Sequence, residues 1–345
     1  MLNARHLLQA VVAAVIATQA LADDAPPRVD ATFIQLHRGA AEKSVEDWSA
    51  DIEQMKAIGI RTLIVQWTAE HPVSFFKTDE IPFEEQYDVI ERLFAAVRGK
   101  DVDVVLGLEH SPIYWSQLEA RDRVLRDYLY VRAAQNERLQ KALLKAFKDV
   151  KEWTGYYIVE EIDDKTWRNA DRAPFMKTYI SLMCERIRAN DKKRDVMVST
   201  FFRGRTAPDI YARTLHALVA ESKHKPDVLM LQDGTGVNDP PEEYVPLFFR
   251  EVRDLFTEKQ PALWCVVETF SQLSKADEPF KAAPADADRV TRQIERAAPF
   301  FDRLALFTFL DYSDPDLGGD AAKLYERLVS GKDAPPPAGD VQQSP

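Results

Sequence analysis

Two glutamates, Glu161 and Glu268, have the residue type and the positions to do acid–base chemistry together. Each ends a short apolar run, at residues 155–161 and 262–268, and a carboxylate that ends a buried strand is costly unless something binds it. Two facing carboxylates are the minimal apparatus for cleaving a glycosidic bond. A separation of about 5–5.5 Å would mean retention of configuration and about 6.5–9.5 Å inversion. The sequence leaves both outcomes open.

Glu161 is the candidate general acid, because apolar walls or a neighbouring carboxylate would raise its pKa. We expect Tyr157 and Trp167 to wall it. Glu160 is the alternative acid, since adjacent strand residues point to opposite faces and only one of them can face the interior. Glu268 is the candidate nucleophile, or the base for a water molecule. The competing interpretation is that lysines or arginines at helix ends satisfy both acids.

The elements that must position these glutamates are short apolar runs that alternate with amphipathic segments. Near-continuous apolar runs are typical of parallel strands buried on both faces. The predicted strands are Thr32–Leu36, Arg61–Gln66, Asp103–Glu109, Gly155–Glu161, Val196–Phe201, Val228–Gln232, Leu263–Glu268 and Leu304–Leu310. Eight strands with intervening helices predict an α/β fold, a single-domain (β/α)8 TIM barrel. The rival, a doubly wound sheet that binds a dinucleotide, needs a Gly-rich turn that His37–Glu42 does not provide.

Local signals support helices between the strands. Ser44 is placed to cap a helix that Gly59 would stop. The segment Gln117–Trp153 is long for one helix, which leaves room for a turn inside it. After the sixth strand, Gly234 and Gly236 permit either an ordinary tight turn or a close approach of the backbone to a ligand.

Charge and the two chain ends restrict the class of protein. A formal net charge of -11 over 345 residues argues against binding to nucleic acid or anionic membrane and suits a neutral or cationic ligand better. Residues 1–22 are typical of a cleaved secretory signal peptide, with residues 23–30 as a flexible leader. Residues 31–330 would form the barrel and residues 331–345 a disordered Pro-rich tail. We expect a periplasmic or secreted protein without a membrane span in the mature chain; the alternative is a cytoplasmic protein with an apolar N terminus.

In a barrel of this kind, functional side chains gather at the carboxyl ends of the strands. All eight predicted ends carry polar groups. The residues that we expect to bind substrate are Gln35, His37, Gln66, Trp67, Glu109, Trp115, Glu160, Trp167, Gln232, Asp233, Asp311 and Tyr312. Trp115 and Trp167 follow strand ends in polar loops, where aromatic rings offer flat surfaces to sugar rings. For any single aromatic residue, the alternative is packing in the core or in a loop.

Other chemistries lack their motifs. His37 and His110 could hold a metal ion with neighbouring acids, but no H-x-x-x-H or H-E-x-x-H spacing occurs, so we expect no metal site and no cofactor. The lack of a G-x-S-x-G elbow disfavours a serine hydrolase. Cys184 and Cys265 are expected to be buried thiols rather than a disulfide.

Four segments resemble a known family of exported TIM-barrel proteins. They are residues 32–36, 59–67, 157–164 and 231–234, and the resemblance spans about residues 31–315. That family is described as a domain of unknown function and is considered glycosidase-like. The resemblance implies a barrel, export and a carbohydrate ligand.

A looser similarity connects the chain to the clan of retaining glycoside hydrolases that have an acid/base Glu after strand four and a nucleophile Glu after strand seven. Glu161 and Glu268 match those two positions. That clan has Asn before the acid/base, where this chain has Glu160. Its aromatic residue at the eighth strand end would be Phe309 or Tyr312 here.

The sequence therefore favours an exported glycoside hydrolase, endo-acting on a polysaccharide or oligosaccharide. The alternative is a non-catalytic carbohydrate-binding barrel in exopolysaccharide or cell-envelope assembly, because the same aromatic-lined mouth would serve both. A metal-dependent hydrolase is the third hypothesis.

Overall fold

The computed structural model describes residues 29–257, 261–275 and 278–332. The predicted signal peptide, the leader up to residue 28 and the predicted tail from residue 333 lie outside the described residues. The barrel strands β1 to β8 are Ala31–Ile34, Thr62–Val65, Asp103–Gly107, Trp153–Asp163, Asp195–Phe201, Val228–Gln232, Ala262–Glu268 and Arg303–Phe307. The α-helices α1 to α10 are Val45–Ala57, Val89–Val97, Tyr114–Leu118, Asp122–Phe147, Ala173–Asn190, Pro208–Leu215, Val245–Leu255, Ala287–Ala297, Phe309–Tyr312 and Gly319–Lys332.

All eight barrel strands are parallel, and each pairs with its neighbours in chain order. The barrel closes where β1 pairs with β8, with Ala31 opposite Ala305. Inside it, the Phe33 ring contacts those of Tyr157 and Phe307 at centroid distances of 5.3 and 5.8 Å. The predicted single-domain (β/α)8 barrel is confirmed.

The local helix signals are confirmed as well. Ser44 caps α1 and its hydroxyl accepts the N–H of Asp47, while Gly59 follows the helix with φ of 106°. A turn separates α3 from α4 within the long segment that follows the third strand. Cys184 and Cys265 are both buried, free thiols.

Four predicted strands extend too far at their carboxyl ends, by one residue in the second, two in the first and third, and three in the eighth. The third ends at Gly107, because Glu109 and His110 pair with residues 69–70 in a small sheet outside the barrel. The eighth ends at Phe307, because Thr308 caps the one-turn helix α9. In the described part of the chain, no helix is both long and apolar enough to cross a membrane.

Candidate active site

A cavity of about 640 Å³ lies over the carboxyl ends of β4 to β8. This volume is within the range of small-molecule binding sites. Glu161 and Glu268 both line it, so the fold brings the two predicted glutamates to one cavity. Its aromatic wall consists of Trp115, Phe201, Phe202, Phe270 and Phe307.

A bulge in β4 positions Glu161. Ile158 pairs with Val198 and Ile162 with Thr200, so three residues of β4 lie opposite the single residue Ser199. Bulges re-aim side chains and are frequent next to active sites. The Oε1 atom of Glu161 accepts hydrogen bonds from Gln232 Nε2 at 2.7 Å and from Ser199 Oγ at 3.3 Å.

Burial raises the pKa of Glu161 to about 7, while the hydrogen bonds from Gln232 and Ser199 act in the opposite direction. Tyr157, which we expected beside this carboxyl, is buried and exchanges a hydrogen bond with Ser199 at 2.6 Å. A carboxylic acid with a pKa near 7 keeps its proton under conditions in which an ordinary glutamate is ionised.

Glu160 faces away from Glu161, towards the helices. Its carboxylate accepts hydrogen bonds from Arg132 Nε at 2.8 Å and from the Tyr179 hydroxyl at 2.5 Å. Arg132 also pairs with Glu109 at 3.1 Å. Glu160 and Glu109, both expected to bind substrate, therefore hold a buried arginine and are not among the described residues that line the main cavity. Glu160 is paired with one arginine, from the middle of α4 and not from a helix end as the competing interpretation had it, and none of the described cations forms an ion pair with Glu161.

Glu268 ends β7 next to a second carboxyl, that of Asp233. Glu268 Oε2 accepts the N–H of Gly236 at 2.7 Å. Asp233 accepts the side-chain amide of Gln293 at 2.6 Å and the backbone N–H of Glu268 at 3.3 Å. Burial raises the pKa of both carboxyls, and the negative charge of Asp233 raises that of Glu268 further. The two acids therefore titrate as a pair.

Gly236 makes this arrangement possible. A Cβ atom at this position would lie 2.8 Å from Glu268 Oε2 and 2.8 Å from the ring of Phe270. The close approach of the backbone that Gly236 permits is thus directed at the Glu268 carboxylate.

The predicted residues at the ends of β1 to β3 form a neighbouring group. Gln35 donates to Gln66 at 2.8 Å, and the buried indole of Trp67 donates to Leu36 O at 2.9 Å. Trp67 stacks on His110 and contacts the exposed His37 ring edge-on at a centroid distance of 5.9 Å. Of this group, Gln66 and His110 line a small cavity of about 70 Å³ that Trp115 and Glu161 also border.

The remaining predicted residues are scattered. Trp115 stands at the cavity with 46% of its surface exposed, whereas Trp167 is completely buried and has no face free for a ligand. Asp311 accepts the Thr308 hydroxyl at the start of α9. Tyr312 contacts the ring of Phe270 at 5.3 Å.

Several residues on the cavity wall were not anticipated. Asp163 and Asp164 reach it because β4 continues past Glu161, an extension that the apolar Ile162 signals in the sequence. Phe307 is the aromatic residue at the eighth strand end that faces the cavity, while Phe309, one of the two expected there, is completely buried. Within the described ranges, no cluster of three or more His, Cys, Asp or Glu side chains could hold a metal ion.

Similar folds occur among solved structures. A provisionally assigned α-L-fucosidase from Bacteroides thetaiotaomicron superimposes with a TM-score of 0.72 at 17% identity, over 89% of this chain and 94% of that one. A monomeric β-xylosidase from Caulobacter crescentus CB15 gives 0.52 at 14% identity, over 90% and 70%. At these identities the likeness shows the fold alone, that of TIM-barrel glycosidases.

Sequence comparison identifies a relative and a family. The uncharacterized protein YbcH of Escherichia coli K12 is 28% identical over 192 residues, which are 55% of this chain and 60% of that protein. The aligned part therefore spans less than two thirds of that relative. Residues 29–317 match the family described as "Domain of unknown function (DUF4434)". The resemblance expected from the sequence is thus confirmed, and the chain belongs to the DUF4434 family.

Proposed function

We propose that the protein is an exported glycoside hydrolase that cleaves a polysaccharide at internal bonds. The observation that carries the proposal is the convergence of Glu161 and Glu268, from β4 and β7, on one aromatic-walled cavity. Two carboxyls on either side of a scissile bond are what glycoside hydrolysis requires. The fold neighbours named as a fucosidase and a xylosidase support a carbohydrate ligand.

Glu161 acts as the general acid in this proposal. Its raised pKa keeps the proton on the carboxyl until the glycosidic C–O bond breaks, when the proton passes to the leaving oxygen. The hydrogen bonds that Gln232 and Ser199 donate to Glu161 Oε1 stabilise the carboxylate that results.

Glu268 acts from the other side of the bond, as nucleophile on the anomeric carbon or as base for a water molecule. It must be ionised for either role. The backbone N–H groups of Gly236 and Val237 favour the ionised form, and Asp233 beside it opposes that form. The pKa of Glu268 is raised to about 8 and that of Asp233 to about 6, so Glu268 is the carboxyl of the pair that keeps its proton longer, and it must lose that proton before it can act.

The cavities support internal cleavage. The small cavity at Gln66 and His110 meets the main one at Trp115 and Glu161. A sugar chain can therefore continue beyond Glu161 in that direction instead of ending there.

A non-catalytic carbohydrate-binding barrel is the second candidate, and the raised pKa of Glu268 favours it. A carboxyl that keeps its proton is a poor nucleophile and a poor base.

One experiment separates the two candidates. Purified wild-type protein, Glu161→Gln and Glu268→Gln are incubated with a panel of bacterial exopolysaccharides, and released oligosaccharides are measured together with polysaccharide binding. We expect each substitution to lower release by a factor of about 10² to 10⁴ while binding persists. The matched control is Glu46→Gln, an exposed glutamate of α1, which should leave release unchanged. Binding without release by the wild type would establish the binding barrel, and release that survives both substitutions would exclude this pair of acids.

Export is tested separately. We expect the mature protein to begin at Asp23, as measured by N-terminal sequencing of the protein recovered from the periplasm or the medium. Recovery of an intact N terminus from the cytoplasm would contradict this part of the proposal.

A further inference from the structure

A second cavity, of about 490 Å³, adjoins the main one. Arg203, Arg205 and Asp239 line both cavities, so the two lie side by side at these residues. Tyr244 and Leu247 line the second cavity and are 52% and 41% exposed. The second cavity thus offers space for a ligand beyond the two candidate catalytic glutamates, which line the main cavity. Cleavage of one glycosidic bond does not require this additional space.

The loop at this junction is held in place by contacts within the protein. Asp164 accepts the N–H of Arg205 at 2.8 Å through its side chain and the hydroxyl of Thr206 at 2.6 Å through its backbone oxygen. Gly204 has φ of 64°, and a Cβ atom there would lie 3.2 Å from Pro240. The arginines are thus presented on a loop whose conformation is set before a ligand arrives, which lowers the entropic cost of binding.

The two arginines differ in their partners. Arg205 pairs with Asp239 at 2.7 Å. Arg203 is exposed and its guanidinium lies over the ring of Phe201 at 5.7 Å. No carboxylate among the described residues forms an ion pair with Arg203, so its charge is available to a ligand.

The second cavity differs in charge from the rest of the protein. Its charged lining residues are Arg203, Arg205 and Asp239, which sum to one positive charge. The chain as a whole carries -11, but surface charges more than about 8 Å apart are largely screened at physiological ionic strength. The positive charge of the residues that line the second cavity therefore favours an anionic substituent on a ligand bound there. The net charge of the whole chain had suggested a neutral or cationic ligand.

We infer that the second cavity binds the distal part of the polysaccharide and that Arg203 binds the carboxylate of a uronic acid unit there, an inference that rests on the proposed carbohydrate ligand. A guanidinium matches a carboxylate with two parallel N–H···O bonds. The exposed ring of Tyr244 offers a flat surface to the sugar ring. The substrate class is thus an acidic polysaccharide, whose carboxylate lies away from the two glutamates.

The test compares acidic polymers with their own neutral forms. Alginate, hyaluronan and polygalacturonate are used as such and after chemical reduction of their carboxylates to alcohols, and binding is measured with the Glu161→Gln variant, which should not degrade them. We expect at least one native polymer to bind about tenfold more tightly than its reduced form. Adding Arg203→Gln should abolish this difference, whereas adding Arg327→Gln, an exposed arginine of α10 paired with Asp288, should preserve it.

The outcomes separate this inference from the proposed function. Equal binding of native and reduced polymers, binding of none of them, or a preference that survives Arg203→Gln overturns the inference. If the wild type releases oligosaccharides from neutral polymers only, the inference fails and the hydrolase stands. If the preference for carboxylates is found without any release, the inference stands and the hydrolase fails. Unchanged circular dichroism and Tm of the Arg203→Gln variant establish that its fold is intact.

Discussion

The hydrogen bond from Gln232 to Glu161 allows a direct test of Glu161 as the acid. It is 2.7 Å long and stabilises the ionised carboxylate, in opposition to the burial that raises the pKa to about 7. Gln232→Met removes the donor and leaves an apolar side chain of similar length. The pKa of Glu161 must then rise above its wild-type value.

The size of the rise follows from the strength of the bond. A hydrogen bond to a charged group contributes about 1.5–3 kcal/mol, and one pKa unit corresponds to about 1.36 kcal/mol. Water in the cavity can replace part of the lost bond, so we expect an increase of about one unit. Ser199→Ala should produce a smaller rise, because its bond to Glu161 is 3.3 Å long and it also exchanges a hydrogen bond with Tyr157.

The assay is the pH dependence of kcat/KM. A general acid must be protonated, so above the pKa values of both glutamates activity falls in proportion to the protonated fraction of Glu161, whose pKa is about 7 in the wild type. In Gln232→Met this alkaline limb should move upwards by about one pH unit. Carbon-13 NMR of the glutamate carboxyls gives the same pKa without turnover. A limb and a resonance that stay in place, or move downwards, would refute the assignment of Glu161 as the acid.

Three further predictions concern the surroundings of the site. Arg132→Met should lower the free energy of unfolding by about 3–5 kcal/mol in urea titrations, because it leaves Glu160 buried without a cation; a double variant that also carries Glu160→Met should recover part of the loss. Folding raises the pKa of Glu268, so its contribution to stability is present below its unfolded pKa and is lost as pH rises through the folded value; Glu268→Gln should therefore raise Tm relative to the wild type more at pH 8 than at pH 5. Trp115→Ala should weaken polysaccharide binding about tenfold with Tm unchanged, whereas Tyr130→Ala, an equally exposed aromatic of α4, should leave binding intact.

The barrel could be predicted because its signals are local and repeated. Apolar runs mark the strands, and the cap at Ser44 and the stop at Gly59 involve contacts within one turn of helix. Strand ends were harder, because long-range pairing decides them. Glu109 and His110 leave the barrel to pair with residues 69–70, and no neighbouring residue in the sequence indicates this partner.

The site could be predicted only from the rule that functional side chains gather at the carboxyl ends of the barrel strands. That rule places Glu161 and Glu268 at the same mouth. It does not reveal Arg132, which lies 28 positions before Glu160 and donates a hydrogen bond to its carboxylate. It also does not reveal the packing that buries Trp167 completely. The bulge opposite Ser199 also depends on the register between two strands, which one strand alone does not encode.

The contrast between neighbouring glutamates is the strongest argument that this cavity has a chemical purpose. Glu160 is buried and is neutralised by Arg132 at 2.8 Å. Glu161, one residue later, receives hydrogen bonds from neutral donors alone within the described structure, and its pKa rises to about 7. Stability alone would favour a cation or an apolar side chain at this position too, because a half-buried carboxyl without a cation is costly. The fold supplies an arginine on one face of β4 and none on the other, and the uncompensated carboxyl is the one proposed as the general acid.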